Sequence, residues 1–290
     1  MDAPWVSVIT ATIGRRAAML CKLDALRAQT LAPERFEWVV VADGDDDGSL
    51  AAIAAADVPF GLRTLRLPRR SGAATARNAA AAAARGEVLL FSDDDCVPDD
   101  DNLERHWRAH AAAPGPTAMV GSLTFVAEDG TTTSSRPRRV GYWNLNGANA
   151  SVPAVAFAAV GGFDENLEAY GGEDVLLGYE LRRHGVRFRA LPEAHARHLG
   201  PDPAASGNLE KARSAGRNAA RIARRRPALR DRLGVRPALL HAKRLVLPWF
   251  AWLGARVAGE LAYVDGALDE LRGGAEAGAR DAAGGRETPR

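Results

Sequence analysis

The chain has 290 residues, of which 47% are hydrophobic, and a formal net charge of +2 at pH 7, so it can bury a sizeable core in one large domain or two small ones. This charge argues neither for nor against a nucleic-acid partner, while two cysteines, Cys21 and Cys96, exclude a disulfide framework and suit a reducing cytoplasm. The first residues have no secretory signal pattern and no later stretch is apolar enough to span a bilayer, so we expect a cytoplasmic protein.

The N-terminal half alternates short β-like runs with helical stretches, which is the pattern of a parallel sheet covered by helices. We predict strands at residues 5–11, 36–42, 63–67 and 87–91, and helices at residues 17–29, 50–56 and 73–85. The sequence therefore predicts an α/β fold with a mostly parallel, Rossmann-like sheet flanked by helices.

Three adjacent carboxylates, Asp93, Asp94 and Asp95, come directly after the last predicted strand. Open α/β sheets bind ligands beyond the carboxyl ends of their strands, and oxygen-rich clusters suit Mg²⁺ or Mn²⁺ ions that keep positions open for phosphates. We therefore predict a metal-bound diphosphate at this edge. A solvated acidic turn is the alternative, and it is our interpretation of the second triplet at residues 99–101, which no predicted strand precedes.

Further polar residues follow the other predicted strands. Thr10, Thr12 and Gly14 follow the first strand, in a turn where glycine lets the backbone approach a ligand. Asp43 follows the second strand, where it can accept hydrogen bonds from a base or a ribose. Arg77 lies among alanines on the third helix, where it can pair with the acidic strand ends or contact a nucleotide, with a surface salt bridge as the alternative. These residues form the predicted nucleotide-binding set.

The order and spacing of these motifs resemble the family 2 glycosyltransferases with the A-type fold, from about Val6 to His198. The resemblance rests on VSVITAT at 6–12, VVVADG at 39–44, SGAATARNA at 71–79, RGEVLLFSDDD at 85–95, GANAS at 147–151, VGGFD at 160–164, GGED at 171–174 and His198. It implies a nucleotide-sugar donor, by default a UDP-sugar, a divalent metal, and inversion at the anomeric carbon.

The resemblance also implies roles for individual residues. Asp43 would contact the nucleobase, Asp93 and Asp94 the nucleotide, and Asp95 and His198 the Mn²⁺ or Mg²⁺ ion, as in a DXD motif. Ala42 departs from the family, which often has another Asp at this position.

The pair Glu173 and Asp174 carries the second predicted function. By resemblance Asp174 is the general base that takes a proton from the acceptor hydroxyl, and Glu173 has a supporting role. The local pattern also places both residues before a helix predicted at 175–184, where a helix N-terminus stabilises anions. Simple helix capping is the alternative for both.

An acceptor pocket is predicted in the segment 140–152, which supplies Trp143, Asn146 and Asn149. Sugars stack on aromatic faces and are held by amide side chains, although Trp143 could equally be a core residue. The acceptor is a glycan, a lipid-linked sugar or a small molecule. We interpret the other five histidines as ordinary surface or core residues; they are His106, His110, His184, His195 and His241.

Beyond His198 the resemblance fades. A helix would align arginines 213, 217, 221 and 225 as a basic ridge, either solvated or in contact with a phosphate group or an anionic membrane. The following stretch at 245–263 either packs on the catalytic domain or forms an interfacial helix. Nucleic acid is not expected, because no recognition motif accompanies the arginines.

We therefore predict a catalytic domain at 1–200, with a nucleotide-sugar half at 1–98 and an acceptor half at 99–200, a helical extension at 201–272 and a disordered tail at 273–290. The expected function is inverting, metal-dependent glycosyl transfer in the cytoplasm, with peripheral contact through 211–263 at the inner face of the membrane. A sugar-phosphate nucleotidyltransferase and a non-catalytic glycan- or nucleotide-binding scaffold are the alternatives. The first would need a glycine-rich basic loop, which residues 12–16 match poorly.

Overall fold

The computed structural model describes residues 5–44, 47–167, 170–200 and 208–284. The chain divides into two compact units, one formed by Met1–Asn166 with Glu173–Asp202 and the other by Leu167–Gly172 with Pro203–Arg290. The catalytic domain that we predicted at 1–200 corresponds closely to the first unit. Its subdivision at residue 98 stays a prediction.

Within the described residues, the first unit contains a nine-stranded sheet in the order β3-β2-β1-β4-β8-β6-β9-β5, with β7 paired to β6. The strands are β1 (Val6–Thr12), β2 (Phe36–Ala42), β3 (Gly61–Arg66), β4 (Val88–Phe91), β5 (Cys96–Pro98), β6 (Thr117–Val126), β7 (Thr132–Ser135), β8 (Ala150–Pro153) and β9 (Arg187–Leu199). The helices of this unit are α1 (Arg16–Arg27), α2 (Ser49–Ala54), α3 (Ala73–Ala83), α4 (Asn102–Ala111), α5 (Ala154–Ala159) and α6 (Glu173–Arg183).

The first four strands pair in parallel, and the limits of the elements predicted in this half agree with the structure to within two residues. The rest of the sheet differs from a mostly parallel one. β8 runs antiparallel to β4 and β6, and β5 runs antiparallel to β9, so the sheet as a whole is mixed. β5 and β8 span 3 and 4 residues, too few for a strand period to stand out in the sequence.

The core lies on both faces of the sheet because the buried strands are apolar on both sides. Along β2, Trp38 and Val40 pack in one cluster with residues of α1, while Val39 and Val41 pack in the other with residues of α3. Apolar residues therefore occupy both faces of the strand, and buried polar groups lie toward the two ends of the strands. At the amino ends Ser7 bonds to Glu37, whereas the acidic triplet follows β4 at the carboxyl edge, which therefore carries the candidate site.

A buried polar network joins α4 to β8. His106 Nδ1 and His110 Nε2 lie 2.7 and 2.8 Å from the Ser151 hydroxyl, and His106 Nε2 lies 3.0 Å from Asn149 Oδ1. Burial lowers the pKa of His106 to about 4 and that of His110 to about 3. The two histidines are therefore structural, as the sequence predicted.

We expect the free energy of unfolding to fall as the pH drops from about 6.5 to 5. Unfolded histidines bind protons near pH 6.5 and these two do not, so each contributes a loss of about 1.4 kcal/mol per pH unit. Urea unfolding measured across this range checks the loss, and His110→Phe should remove part of it. His184 is exposed, so His184→Asn is the control, and a pH dependence identical in all three proteins would contradict the assignment.

The second unit is helical and is formed mainly by α7 (Leu209–Arg225), α8 (Pro237–Val246) and α9 (Ala255–Gly284). α7 packs on α9 at Gly216, where a Cβ would collide with the Tyr263 carbonyl oxygen. The predicted disordered tail begins at residue 273, but α9 continues to Gly284, and 285–290 lie outside the described residues. Alanine, glutamate and arginine at 275–283 favour a helix and explain this difference.

Two of the four arginines in the predicted basic ridge of α7, Arg217 and Arg221, pair with carboxylates of their own unit. Arg221 Nε lies 3.0 Å from Glu270, Arg224 also pairs with Glu270, and Arg217 lies 3.1 Å from Glu210. Within the described ranges, none of the helices is long and apolar enough to cross a membrane.

Candidate active site

Polar residues from three parallel strands meet at the carboxyl edge of the sheet. Thr12 ends β1, Asp43 follows β2, and the triplet Asp93 to Asp95 follows β4. The Thr12 hydroxyl donates a hydrogen bond of 2.8 Å to Asp94 Oδ2. Thr12 and the triplet are therefore in contact at this edge, and a shared site that includes Asp43 stays a prediction.

The carboxylates of the triplet make contacts with different partners. Asp93 pairs with Arg77 at 2.6 Å, Asp94 accepts the hydrogen bond from Thr12, and Asp95 Oδ1 lies 3.2 Å from His198 Nε2. Burial alone would raise the pKa of Asp93, but the Arg77 guanidinium more than offsets burial and lowers this pKa. The three carboxylates of this one turn thus contact a guanidinium, a hydroxyl and an imidazole.

The pair of Asp95 and His198 fits a divalent metal. Asp95 Oδ1 and His198 Nδ1 are buried without a hydrogen-bond partner in the described part of the chain. Cys96 Sγ lies in the same group, whose ligand atoms are all within 4.8 Å of one another. Burial raises the pKa of Cys96 well above its ordinary value. The carboxylate oxygen of Asp95 and the imidazole nitrogen of His198 are ligand types that suit Mn²⁺ or Mg²⁺.

Strand pairing explains how two residues so far apart in sequence meet. Cys96 of β5 is opposite His198 of β9, and the Leu199 amide donates a hydrogen bond of 2.8 Å to the Asp95 carbonyl. The backbone ladder therefore holds the imidazole beside the triplet. His195, the other histidine on β9, instead bonds to Asp99 at 2.8 Å and is structural.

Arg15 is a site residue that sequence analysis missed. Its guanidinium bonds to the Asp95 carboxylate and lies 3.7 Å from Asp94 Oδ1. Arg15 follows Gly14 in the loop after β1, for which the sequence analysis predicted a ligand-approaching turn at Gly14 but assigned no role to the arginine. The sequence did contain a signal for this role, because Arg15 comes one position after a glycine at the end of a strand.

Two of the predicted nucleotide contacts serve the protein backbone in this structure. Thr10 is fully buried and donates a hydrogen bond of 2.9 Å to the Ser92 carbonyl, so it lies behind the site and the prediction that it faces the donor is corrected. Asp43 accepts hydrogen bonds from the Ser71 and Gly72 amides at 2.6 and 2.8 Å. It anchors the start of α3, and its contact with a base stays a prediction.

Arg77 links the triplet to the predicted catalytic pair. Its guanidinium lies 2.6 Å from Asp93 and 3.6 Å from Glu173 Oε1. A Cβ at position 147 would collide with the guanidinium, so Gly147 is required for this close approach. Arg77 is buried, which rules out the surface salt bridge considered above.

Asp174 lies in the first turn of α6, next to the Arg77 guanidinium. Its Oδ2 accepts a hydrogen bond of 3.2 Å from the Gly147 amide, while Oδ1 is buried without a partner among the described residues. Burial and the charge of Glu173 raise the pKa of Asp174 to about 7, despite the opposing effect of Arg77. A carboxylate with a free oxygen and a pKa near neutrality is suited to general-base catalysis.

The predicted acceptor residues separate into two groups. Trp143 is 40% exposed and stays a predicted acceptor contact. Asn149 is 2% exposed and its amide donates to the Ser122 and Ala194 carbonyls, so the acceptor prediction for it is corrected. Asn146 Oδ1 accepts from the amides of residues 148 and 149 and shapes their turn, which leaves its acceptor role a prediction.

Comparison with known families identifies this arrangement. The family model described as "Glycosyl transferase family 2" matches residues 7–159, more than half of the chain. The chain belongs to glycosyl transferase family 2. The matched range contains the triplet and Arg77, and the predicted catalytic pair and His198 lie beyond its end.

This family 2 glycosyltransferase is also similar to curated relatives. It is 26% identical over 234 residues to a validoxylamine A glucosyltransferase of Streptomyces hygroscopicus subsp. limoneus, a match that covers 66% of this chain and 51% of the relative. The chain thus spans about half the length of that relative. A validoxylamine A glucosyltransferase of the subspecies jinggangensis is 45% identical over 53 residues, covering 18% of this chain and 12% of the relative.

Solved structures identify the fold. The mannosyltransferase PcManGT of Pyrobaculum calidifontis, in complex with GDP-Man and Mn²⁺, matches with a TM-score of 0.60 and 23% identity, covering 95% of this chain and 81% of that one. Residues 1–349 of S. aureus TarS, in complex with UDP, match with a TM-score of 0.58 and 18% identity, covering 93% and 92%. The family 2 glycosyltransferase therefore has the A-type fold, with a mixed sheet and C-terminal helices.

Proposed function

We propose that this glycosyltransferase is an inverting, divalent-metal-dependent enzyme that moves a hexosyl group from a nucleotide-sugar to a hydroxyl acceptor. The observation that carries the proposal is the free, buried Oδ1 of Asp174, next to the Arg77 that binds the triplet. Arg77 thereby links the proposed general base, Asp174, to the acidic triplet that is proposed to bind the donor. The names of the relatives and the solved structures support this assignment.

In the proposed reaction Asp174 accepts the proton of the acceptor hydroxyl. The acceptor oxygen then forms its bond to the anomeric carbon on the face opposite the nucleoside diphosphate, whose bond to that carbon breaks. Glu173 shares the Arg77 guanidinium with Asp93 and orients it. Asp95 and His198 would hold Mn²⁺ or Mg²⁺, and the chemistry such an ion supplies is neutralisation of negative charge on the departing diphosphate.

The donor is proposed to be a UDP-sugar, with other nucleotide-sugars as alternatives. The titles of the similar structures name UDP and GDP-Man as bound molecules. The relatives are named for glucosyl transfer to validoxylamine A, which favours a small-molecule acceptor over a glycan or a lipid-linked sugar.

The experiment that tests this function is a calorimetric screen of UDP, GDP, dTDP and their common sugars, each with Mn²⁺ and with chelator. Tight binding of one nucleotide that requires Mn²⁺ supports the donor class and the metal. Turnover of the matching sugar with candidate acceptors then distinguishes an enzyme from a binding scaffold, and NMR of the product gives the anomeric configuration. Retention of configuration would contradict the inverting mechanism.

We further propose that the second unit contacts the membrane surface through an aromatic edge rather than through the ridge of α7. Leu245, Trp249 and Trp252 are 74%, 84% and 78% exposed. Tryptophan favours the interface between headgroups and acyl chains, and residues 232–259 contain no Asp or Glu. The stretch also carries five cations, Arg232, Arg236, Lys243, Arg244 and Arg256. Arg236, Lys243 and Arg244 pair with Asp231, Glu260 and Asp265, so the exposed tryptophans carry the proposed contact.

Sedimentation with phosphatidylcholine vesicles, with and without phosphatidylglycerol, tests this contact. We expect binding to the anionic vesicles and its loss in the double variant Trp249→Ser, Trp252→Ser. Val155 is a comparably exposed apolar residue of the first unit, so Val155→Ser is the control. Equal binding of the three proteins, or binding of none of them, would contradict the contact.

A further inference from the structure

The first helix places a lysine where an apolar residue is expected. The buried residues of α1 are Met19, Lys22, Leu23 and Leu26, so Lys22 lies on the face that packs against the sheet. Its side chain is fully buried. A buried ammonium group is costly unless its N–H groups are bonded, so its bonding partners identify its role.

Lys22 has three such partners. Its ammonium nitrogen lies 2.9 Å from the Ser92 carbonyl, 2.5 Å from the Asp93 carbonyl and 3.3 Å from the Thr10 hydroxyl. An ammonium group has three N–H donors, so these acceptors use all of them. Two of the three belong to the backbone that begins the metal-binding triplet.

The same acceptors hold other parts of the fold. The Thr10 hydroxyl donates to the Ser92 carbonyl at 2.9 Å and accepts from Trp38 Nε1 at 3.0 Å, while the Asp93 carbonyl accepts from the Cys96 amide at 3.0 Å. Lys22 therefore joins α1 and Thr10 of β1, whose hydroxyl also bonds to Trp38 of β2, to the turn between β4 and β5. This turn determines where the carboxylates of residues 93–95 point.

We infer that Lys22 is a positioning residue that holds the backbone of the Asp93–Asp95 turn, so that the Asp95 carboxylate meets His198 in the metal site. The measurement of Mn²⁺ binding depends on the proposed function, whereas the role of Lys22 in holding the turn does not. Lys22 contacts neither the nucleotide-binding side chains nor the base, and it acts through the carbonyls of Ser92 and Asp93.

Removing Lys22 would change the affinity for Mn²⁺ in opposite directions, depending on whether Lys22 positions the turn or acts only through its charge. An ammonium group close to a divalent cation repels it, so if Lys22 acted through its charge alone, removing it would strengthen Mn²⁺ binding. If Lys22 positions the turn, removing it misplaces Asp95 and weakens Mn²⁺ binding. Loss of a residue that orients a metal ligand typically lowers affinity by about 10–100-fold.

The test uses Lys22→Met in the full chain, with Mn²⁺ binding measured by electron paramagnetic resonance of the free ion, with and without UDP. We expect an affinity about tenfold lower or more. Lys22→Gln keeps one amide donor group, should give a smaller loss, and provides a folded variant if the methionine protein is unstable. Met19→Ala is the matched control, because it removes a fully buried side chain from the same helix without touching the turn.

Hydrogen exchange provides a readout that requires neither metal nor activity. The Cys96 amide, bonded to the Asp93 carbonyl, should exchange at least about tenfold faster in Lys22→Met, because a locally opened unit loses protection, whereas β2 keeps its protection. Met19→Ala should not accelerate Cys96 selectively. If the wild-type protein binds no Mn²⁺, the metal part of the proposed function fails, and hydrogen exchange at the Cys96 amide alone tests whether Lys22 holds the turn. Unchanged exchange at Cys96, or unchanged or tighter Mn²⁺ binding, would overturn the inference.

Discussion

Replacing Asp95 by alanine is expected to abolish the metal-dependent part of donor binding, with affinity for UDP in the presence of Mn²⁺ falling by about 100-fold or more. Asp95 supplies the buried oxygen beside His198, and this oxygen has no hydrogen-bond partner in the described ranges. Without it the imidazole alone cannot hold a divalent ion next to the diphosphate. Calorimetry of UDP with Mn²⁺ and with chelator measures the two contributions separately.

The second acidic triplet supplies a matched control for this variant. Asp100 is exposed, so Asp100→Ala removes an equal charge from a nearby turn and should bind UDP as wild type does. The chelator arm gives the metal-independent affinity, which we expect Asp95→Ala to retain. Unchanged affinity in Asp95→Ala with Mn²⁺ would remove this residue from the metal site.

Replacing Asp174 by asparagine is expected to lower turnover by about 10² or more while leaving donor binding intact, which is the usual effect of losing a general base. Asparagine has nearly the same shape and can still accept from the Gly147 amide, but it cannot take a proton. Single-turnover assays with a fixed donor concentration measure the loss. Glu173→Gln, which keeps the base, should lose less, and near-normal turnover in Asp174→Asn would place the base elsewhere.

The pH dependence of the wild-type enzyme provides a second test of Asp174. Its pKa is raised to about 7, so kcat/KM for the acceptor should rise as the pH increases through 7 and the carboxylate ionises.

The raised pKa of Asp174 also predicts how this residue affects the stability of the fold at different pH values. A raised pKa stabilises the fold below the ordinary value of 3.8, and this contribution is lost as the pH rises through about 7. Asp174→Asn should therefore unfold at an equal or higher temperature than wild type at pH 8.

The sequence predicted the edge of the sheet where the site lies because parallel strands bring their carboxyl ends together. It could not predict which partner each side chain meets. Thr10 and Thr12 are two positions apart on β1, yet Thr12 reaches Asp94 whereas Thr10 bonds to a backbone carbonyl behind the triplet. Asn149 was misassigned for a related reason, since its partners come from β6 and β9 and appear only in the folded chain.

The two basic residues that the sequence analysis missed differ in how visible they were. Lys22 occupies a position on the apolar face of α1, three residues after Met19 and four before Leu26, so helical spacing alone could have marked it as a buried cation. Arg15 gave a weaker signal, because its contact with Asp95 depends on the course of the loop after β1. The periodicity of a sequence shows which side chains are buried, whereas identifying the groups that they contact requires the tertiary structure.

The ladder between β5 and β9 also bears on when the enzyme can become active during its synthesis. Asp95 emerges from the ribosome more than a hundred residues before His198, and the backbone pairing of Cys96 with His198 is what brings the two ligands together. A nascent chain that ends before β9 has the acidic turn but lacks the imidazole and the strand that holds it. The proposed metal site would therefore be a late property of the growing polypeptide, complete only once β9 has joined the sheet.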